Sequence, residues 1–276
     1  MGKHVKTLAL IEAARQVLEA EHPMTLRQCF YRLVSGQVTE NTRGSYQALS
    51  NALVDARKEG AIPWGWLEDR LRVPHEVCMW DGLQDFLETV QGAYRRDVWP
   101  SQSVYLEVWL EKDALSGIFE TVLQPYGVTL NVGRGYDGWS SIRGAAMRYG
   151  TGDGVTILYF GDFDPSGEDM VRSLEKRLAF FEARPQIVKV ALTAGDVERY
   201  NLPPALTKAT DTRRARFIEQ HGDRCVELDA LPVGVLRERL TQEVESRLDL
   251  DAWRKVQEIE VIERQQLSAL LNEAAL

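Results

Sequence analysis

Between residues 5 and 60 apolar side chains return every three or four positions, the spacing of helices with one buried face. Leu8, Ile11, Ala14 and Leu18 predict a first helix over 5–20. In "HPMTLRQCFYRLVSGQV", Thr25 is a helix-start residue, so a second helix runs from there into the mid-thirties. A third is expected over 43–59, stopped by Gly60. "AIPWGWLEDRLRVP" then carries the Pro and Gly punctuation of a short β-wing or loop.

Three short helices and a wing predict a winged-helix domain over 1–80. Residues 81–96 read as a linker helix and "VWPSQS" (98–103) as a boundary, so 81–103 joins two parts. From 104 to 276 the pattern becomes short apolar strands alternating with helices. Strands are expected at 104–110, 128–132, 155–160 and 187–192, with a possible short one at 224–228. Helices are expected at 113–123, 138–149, 167–182, 232–246 and 249–272. The fold class is therefore α/β with a mostly parallel, Rossmann-like sheet behind a mostly α N-terminal domain, the last helix forming a C-terminal extension.

Composition narrows the setting. The chain has 276 residues, 44% hydrophobic and 27% charged, enough for a large core and without a low-complexity tract. Cys29, Cys78 and Cys225 are far apart, in no disulfide or zinc spacing, which makes a reducing, cytoplasmic location the default. The N-terminus mixes charge with apolar residues and reads neither as a signal peptide nor as a membrane span. A net charge of -8 argues against coating nucleic acid by bulk attraction. Any DNA-facing surface must be a local basic patch on an acidic body.

The ends of two expected strands carry the chemistry. VYLEVWL runs into Glu111, and VTILYF runs through Gly161 into Asp162 and Asp164. In an α/β sheet, ligands gather at the carboxyl ends of the strands. If these strands are neighbours, three carboxylates meet there, and extended spacing puts Asp162 and Asp164 on one side. Such acids repel or take up protons unless a cation joins them; Mg²⁺ suits the site, and Mn²⁺ would substitute. The competing reading is local: Asp164-Pro165 is a good helix start, and Glu111 could be a surface acid favoured by a helix dipole.

These words resemble a known family. Glu after one strand and Asp-x-Asp after a later one is the signature of the Toprim domain. With "LEKDAL" (110–115), "GDFDPSG" (161–167), "VALTAGDVERYNLPP" (190–204), "KATDTR" (208–213) and "VELDALP" (226–232), the stretch 104–240 looks like the A subunit of topoisomerase VI and its meiotic double-strand-break relatives. The resemblance implies metal binding by Glu111, Asp162 and Asp164. It also makes "TLRQCFY" (25–31) the family's nucleophile motif, with Tyr31 as nucleophile and Arg27 as its companion. Phe30 stands where better-known members have another tyrosine. The family draws tyrosine and metal site from different subunits, which implies a homodimer acting on double-stranded DNA. It also implies a nucleoid-associated cytoplasmic protein, with a separate GHKL-type ATPase wherever strand passage is coupled to ATP.

On a helix, Leu26, Cys29, Phe30 and Leu33 form the core stripe. Arg27, Tyr31 and Ser35 fall on an adjoining stripe, expected off that core face, where tyrosine and arginine could meet a phosphate. A partly buried tyrosine under a packing arginine is the structural alternative. Arg134, Ser140 and Arg143, in the Gly-rich "NVGRGYDGWSSIRGAAMR", could seat a phosphate at a helix start, or belong to an ordinary turn with Ser capping. Lys208, Arg213 and Arg214 in "KATDTRRARF" could track a DNA backbone, or form a solvated helix face. Trp64 and Trp66 could stack on bases, though packing against the wing is the safer expectation. Three functions remain open: a topoisomerase-VI-A-like transesterase forming a 5′-phosphotyrosyl link, a Toprim nuclease using water, and a non-catalytic DNA-binding protein of the same fold.

Overall fold

The structure is a computed structural model that describes residues 5–67, 77–133, 138–150, 154–205, 217–219, 222 and 224–274. The three N-terminal helices are α1 (Val5–Glu21), α2 (Leu26–Ser35) and α3 (Arg43–Lys58). Ile11, Ala14 and Leu18 bury the α1 stripe, while Leu8, one turn earlier, is 52% exposed on the helix end. Thr25 opens α2 with a full capping box: its hydroxyl takes the Gln28 N–H at 3.1 Å, and the Gln28 side chain takes the Thr25 N–H at 2.8 Å. Thr42 caps α3 in the same way through Ser45 N–H.

The stretch expected as a short wing or loop is described only as far as residue 67. Residues 64–66 form a single 3₁₀ turn and Met24 bridges Leu67; 68–76 lie outside the described residues. Trp66 packs, stacked on the His22 ring at 5.1 Å, whereas Trp64 is exposed beneath the Arg57 guanidinium. The linker helix is α4 (Leu83–Ala93).

The α/β part follows the alternation closely. It contains β1 (Tyr105–Leu110), α5 (Ser116–Leu123), β2 (Thr129–Val132), α6 (Trp139–Tyr149), β3 (Val155–Phe160), α7 (Pro165–Phe180) and β4 (Gln186–Ala191). A short α8 (Ala194–Arg199), absent from the periodicity reading, follows a second capping box at Thr193. The chain ends in α9 (Val233–Glu245) and α10 (Leu250–Ala274). The possible strand at 224–228 is instead one antiparallel bridge, Val226 against Phe163, running into a 3₁₀ turn over Leu228–Ala230. Among the described residues no helix is long and apolar enough to cross a membrane.

All four strands are parallel, in the order β2-β1-β3-β4. From β1 the chain moves outward to β2, and from β3 outward to β4. The direction reverses between β1 and β3, whose carboxyl ends therefore flank the topological switch point where α/β sheets bind ligands. Side chains alternate across the sheet. Leu106, Val108, Leu110, Leu158 and Phe160 join one continuous core with α5, α9 and the three N-terminal helices. Trp109, Ile157 and Tyr159 face α6 and α7 on the other side.

Glu107 breaks this second, apolar face. Fully buried, it accepts hydrogen bonds from Arg148 Nε (2.7 Å) and Nη2 (3.1 Å), Asn131 Nδ2 (2.6 Å), Tyr149 OH (2.7 Å) and Tyr105 OH (3.0 Å). The network ties β1, β2 and α6 together. Removing one partner of a buried ion pair strands the other, so Arg148→Ala should destabilise the fold by about 3 kcal/mol in urea unfolding, and Arg148→Lys by less.

Candidate functional site

At the switch point the register sets Leu110 beside Phe160, so the next residues of both strands meet. Glu111 N–H donates to Phe160 O at 2.9 Å, and Asp162 N–H donates to Glu111 Oε2 at 2.9 Å. Gly161 lies beneath this contact, and a Cβ there would come within 2.6 Å of Glu111 Oε2. The two acids expected to meet are thus brought together, over a glycine that leaves them room.

Asp164 starts a helix. Its Oδ1 accepts the Gly167 N–H at 2.6 Å and caps α7, with Pro165 in the first turn. Gly167 presses so close that a Cβ would lie 2.3 Å from the Asp162 carbonyl oxygen. Asp164 thus serves the helix start that the local reading expects, from extended backbone, and its charge still bears on Glu111. Among the described residues no three His, Cys, Asp or Glu side chains form a ready-made metal ligand set.

A second pair of acids reaches this edge from far along the chain. The Phe163–Val226 bridge, with paired N–H···O contacts of 2.9 Å, lays residues 226–230 along the 162–164 turn. This brings Glu227 and Asp229 to the site. Lys112 closes the cluster: its Nζ lies 2.7 Å from Asp229 Oδ2, 3.1 Å from Glu227 Oε2 and 3.2 Å from Asp162 Oδ1. Asp162 Oδ1 also accepts the Leu228 N–H at 2.7 Å. On the β4 side, Lys189 Nζ pairs with Glu168 at 2.6 Å and reaches the Asp162 carbonyl at 3.3 Å.

The electrostatics follow from crowding acids in a buried place. Burial pushes the Asp162 carboxyl up to about 7, with Glu111 adding to the rise and Lys112 opposing it. Burial also raises Glu111, reinforced by the Asp164 charge. Glu227 goes the other way: burial would raise it, but Lys112 and Arg27 hold it below the usual carboxylate range. For Lys112, burial opposes the charge, and the carboxylates of Asp229, Asp162 and Glu227 more than offset it.

The tyrosine helix joins this cluster. Arg27 forms an ion pair with the same Glu227 oxygen that Lys112 contacts, and Thr25 Oγ1 lies 3.5 Å from Asp229 Oδ1. Tyr31 corrects the expectation of a side chain off the core face. It is 1% exposed, and its hydroxyl is buried without a hydrogen-bond partner among the described residues. The reason is that α2 is covered twice, by α1 and α3 on one side and by the 228–230 turn on the other. The apolar stripe of α2 could reveal only the first cover. Arg27 and Ser35 do lie on the rim. Burial raises the Tyr31 phenol above its ordinary value, as does Glu227, against the opposing charges of Arg27 and Lys112.

Ser140 and Arg143 are exposed on α6. Capping by serine does not occur there: Gly138 is the cap residue, without a side-chain bond, and Ser140 and Ser141 lie inside the first turn. Arg134, Lys208, Arg213 and Arg214 lie outside the described residues. Sequence reasoning passed over Lys112, Glu227 and Asp229. Their signal was available, since Glu227-x-Asp229 repeats the acid-x-acid spacing of Asp162-x-Asp164, and Lys112 directly follows Glu111.

Two predictions follow from this geometry. A Cβ at Gly167 meets fixed backbone, whereas one at Gly161 meets only the Glu111 and Tyr159 side chains. Gly167→Ala should therefore cost about 3 kcal/mol in denaturant unfolding, and Gly161→Ala less. The second concerns pH. Folding raises the Asp162 carboxyl, so its contribution to stability is complete in acid and lost as pH climbs through about 7, and the rise of Glu111 acts in the same direction. In EDTA the melting temperature should fall from about pH 5 to about pH 8, and Asp162→Asn should flatten that fall.

No protein-family model matches the chain, and no curated protein matches it.

Proposed function

We propose that the chain is a DNA-cleaving protein of the topoisomerase VI A type, built from a winged-helix part and a Toprim part, which breaks phosphodiester bonds with Mg²⁺ or Mn²⁺ at the Glu111–Asp162 edge. The observation that carries this reading is the convergence at the switch point. Glu111 and Asp162 touch there, and the Arg27–Glu227–Lys112 chain of contacts links the tyrosine helix to the same place.

The chemistry of the donors supports a divalent cation there. Asp162, Glu227 and Asp229 gather around Lys112, Glu227 also meets Arg27, and Asp164 and Lys189 bear on Glu111, so carboxylates outnumber these cations. Burial raises Asp162 and Glu111 rather than relieving them, the state a hard cation would reverse. Glu111 and Asp162 would hold the ion, with Asp164 available if it released the α7 cap. When bound, such an ion stabilises the charge that develops on the departing 3′ oxygen.

In the transesterase reading the Tyr31 oxygen bonds to phosphorus as the bond to the 3′ oxygen breaks. The phenol proton passes to a facing carboxylate, Glu227 or Asp229, which returns it through water to the departing 3′ oxygen, and Arg27 orients a phosphoryl oxygen. The product is a 5′-phosphotyrosyl link and a free 3′ hydroxyl. For this, the contact between α2 and the 228–230 turn must open, since a buried neutral phenol neither reaches DNA nor ionises readily. A homodimer would let two such sites cut both strands, and a separate ATPase would supply any ATP-driven strand passage.

The burial of Tyr31 favours a second reading, in which water attacks and the tyrosine remains a core residue. One experiment decides between them. Supercoiled DNA is incubated with the protein and Mg²⁺, with and without an ATPase partner, then denatured and assayed for DNA covalently bound to protein. An adduct that disappears in Tyr31→Phe supports the transesterase. Cleavage without adduct, surviving Tyr31→Phe but lost in Asp162→Ala, supports the nuclease. Binding without cleavage in any condition overturns both.

A further inference from the structure

We propose that Lys112 is the resident counter-ion of the acidic edge, and that it sets how tightly this edge takes a divalent cation. The inference rests on the metal-dependent reading of the Glu111–Asp162 site and assigns a role to a residue outside that ligand set.

The geometry of Lys112 is that of a bound ion rather than of a surface lysine. Its side chain is 17% exposed, and its ammonium contacts one oxygen from each of Asp162, Glu227 and Asp229, at 3.2, 3.1 and 2.7 Å. An ammonium has three donors and no acceptor; here it hydrogen-bonds Glu227 and stands within ion-pair distance of Asp162 and Asp229. Those carboxylates come from different stretches: Asp162 from the end of β3, Glu227 and Asp229 from the turn bridged to Phe163. The lysine is also fixed at its root, because its carbonyl accepts the Leu115 N–H at 3.0 Å and starts the turn into α5. Lysine and acids therefore form one cross-link between β1, β3 and the 226–230 segment.

Asp162 belongs to both systems. Its Oδ1 faces Lys112, and its backbone N–H meets Glu111 Oε2. A divalent ion on Glu111 and Asp162 must sit within a few ångströms of the ammonium, where like charges repel strongly even in a screened protein interior. The ammonium thus holds the acids together before the metal arrives and weakens the metal's hold once it is there. Lys189 differs in its contacts: it pairs with Glu168 and reaches Asp162 only at the carbonyl, although its charge is also felt at Glu111.

The test uses the full chain and Mn²⁺ alone, with free Mn²⁺ read by electron paramagnetic resonance and folding by thermal melts. Lys112→Met removes the charge at similar length, and Lys112→Arg keeps it. In the Met variant Mn²⁺ should bind about tenfold tighter or more. The melting temperature in EDTA should drop, and its rise on adding Mn²⁺ should exceed that of the unaltered chain. The Arg variant should bind within about threefold of the unaltered chain, because its charge is retained. If the Met variant folds and binds no tighter, the proposal is overturned. If it is unfolded in EDTA, recovery in millimolar Mn²⁺ supports the proposal and failure to recover overturns it. Asp162→Asn separates the layers. Mn²⁺ binding unaffected by that change removes the metal site itself, whereas binding lost in Asp162→Asn but unchanged in Lys112→Met removes only the role of Lys112.

Discussion

The contact on which the site depends is the one between Asp162 and the end of β1. A parallel pairing in register from Tyr105–Val155 to Leu110–Phe160 leaves no freedom in where the next residues fall. Glu111 must reach over Gly161, and Asp162 must give it a backbone N–H. Everything else at this edge answers the electrostatic problem so created. Lys112 returns to face the acids, the 226–230 turn brings Leu228 N–H as a donor, and α7 offers its first turn to Asp164. A fold that merely needed a core would have little reason to concentrate acids where burial makes them costly.

This arrangement explains why the tyrosine helix is where it is. Arg27 reaches Glu227 because Glu227 is already held by Lys112, and Thr25 approaches Asp229 for the same reason. The polar contacts sit at the start of α2, while its middle, with Cys29, Phe30, Tyr31 and Leu33, is buried. Orientation and burial are thus set by different ends of one short helix. The unpaired Tyr31 hydroxyl is the residue of that compromise: the helix is placed by its first turn, and the phenol falls where no partner waits among the described residues.

Much of this was legible in the chain. Short apolar runs between helical stretches located all four strands, and the helix starts at Thr25 and Asp164 could be read from single residues. The meeting of Glu111 and Asp162 followed from two strand ends and the rule that ligands collect there. What was not legible depended on distant covering. Tyr31 looked free because the turn that buries it lies some two hundred residues later, and no local periodicity carries that information. Residues 224–228 are apolar enough to suggest a strand, yet among the described residues they make a single bridge, Val226 to Phe163, and one further backbone bond from Ala205 N–H to Cys225 O. The helix α8 was missed because six residues are too few for a 3.6-residue period to show.

The hydrophobic core is continuous from the N-terminal helices to one face of the sheet. Leu228, Ala230 and Leu231, buried in that core on the α2 side, would meet water in a fragment starting after α3. The boundary suggested by a change of sequence pattern is therefore a poor place to cut. A researcher seeking the α/β half alone would be handling a protein with its inner lining turned outward, prone to clump before any chemistry could be assayed.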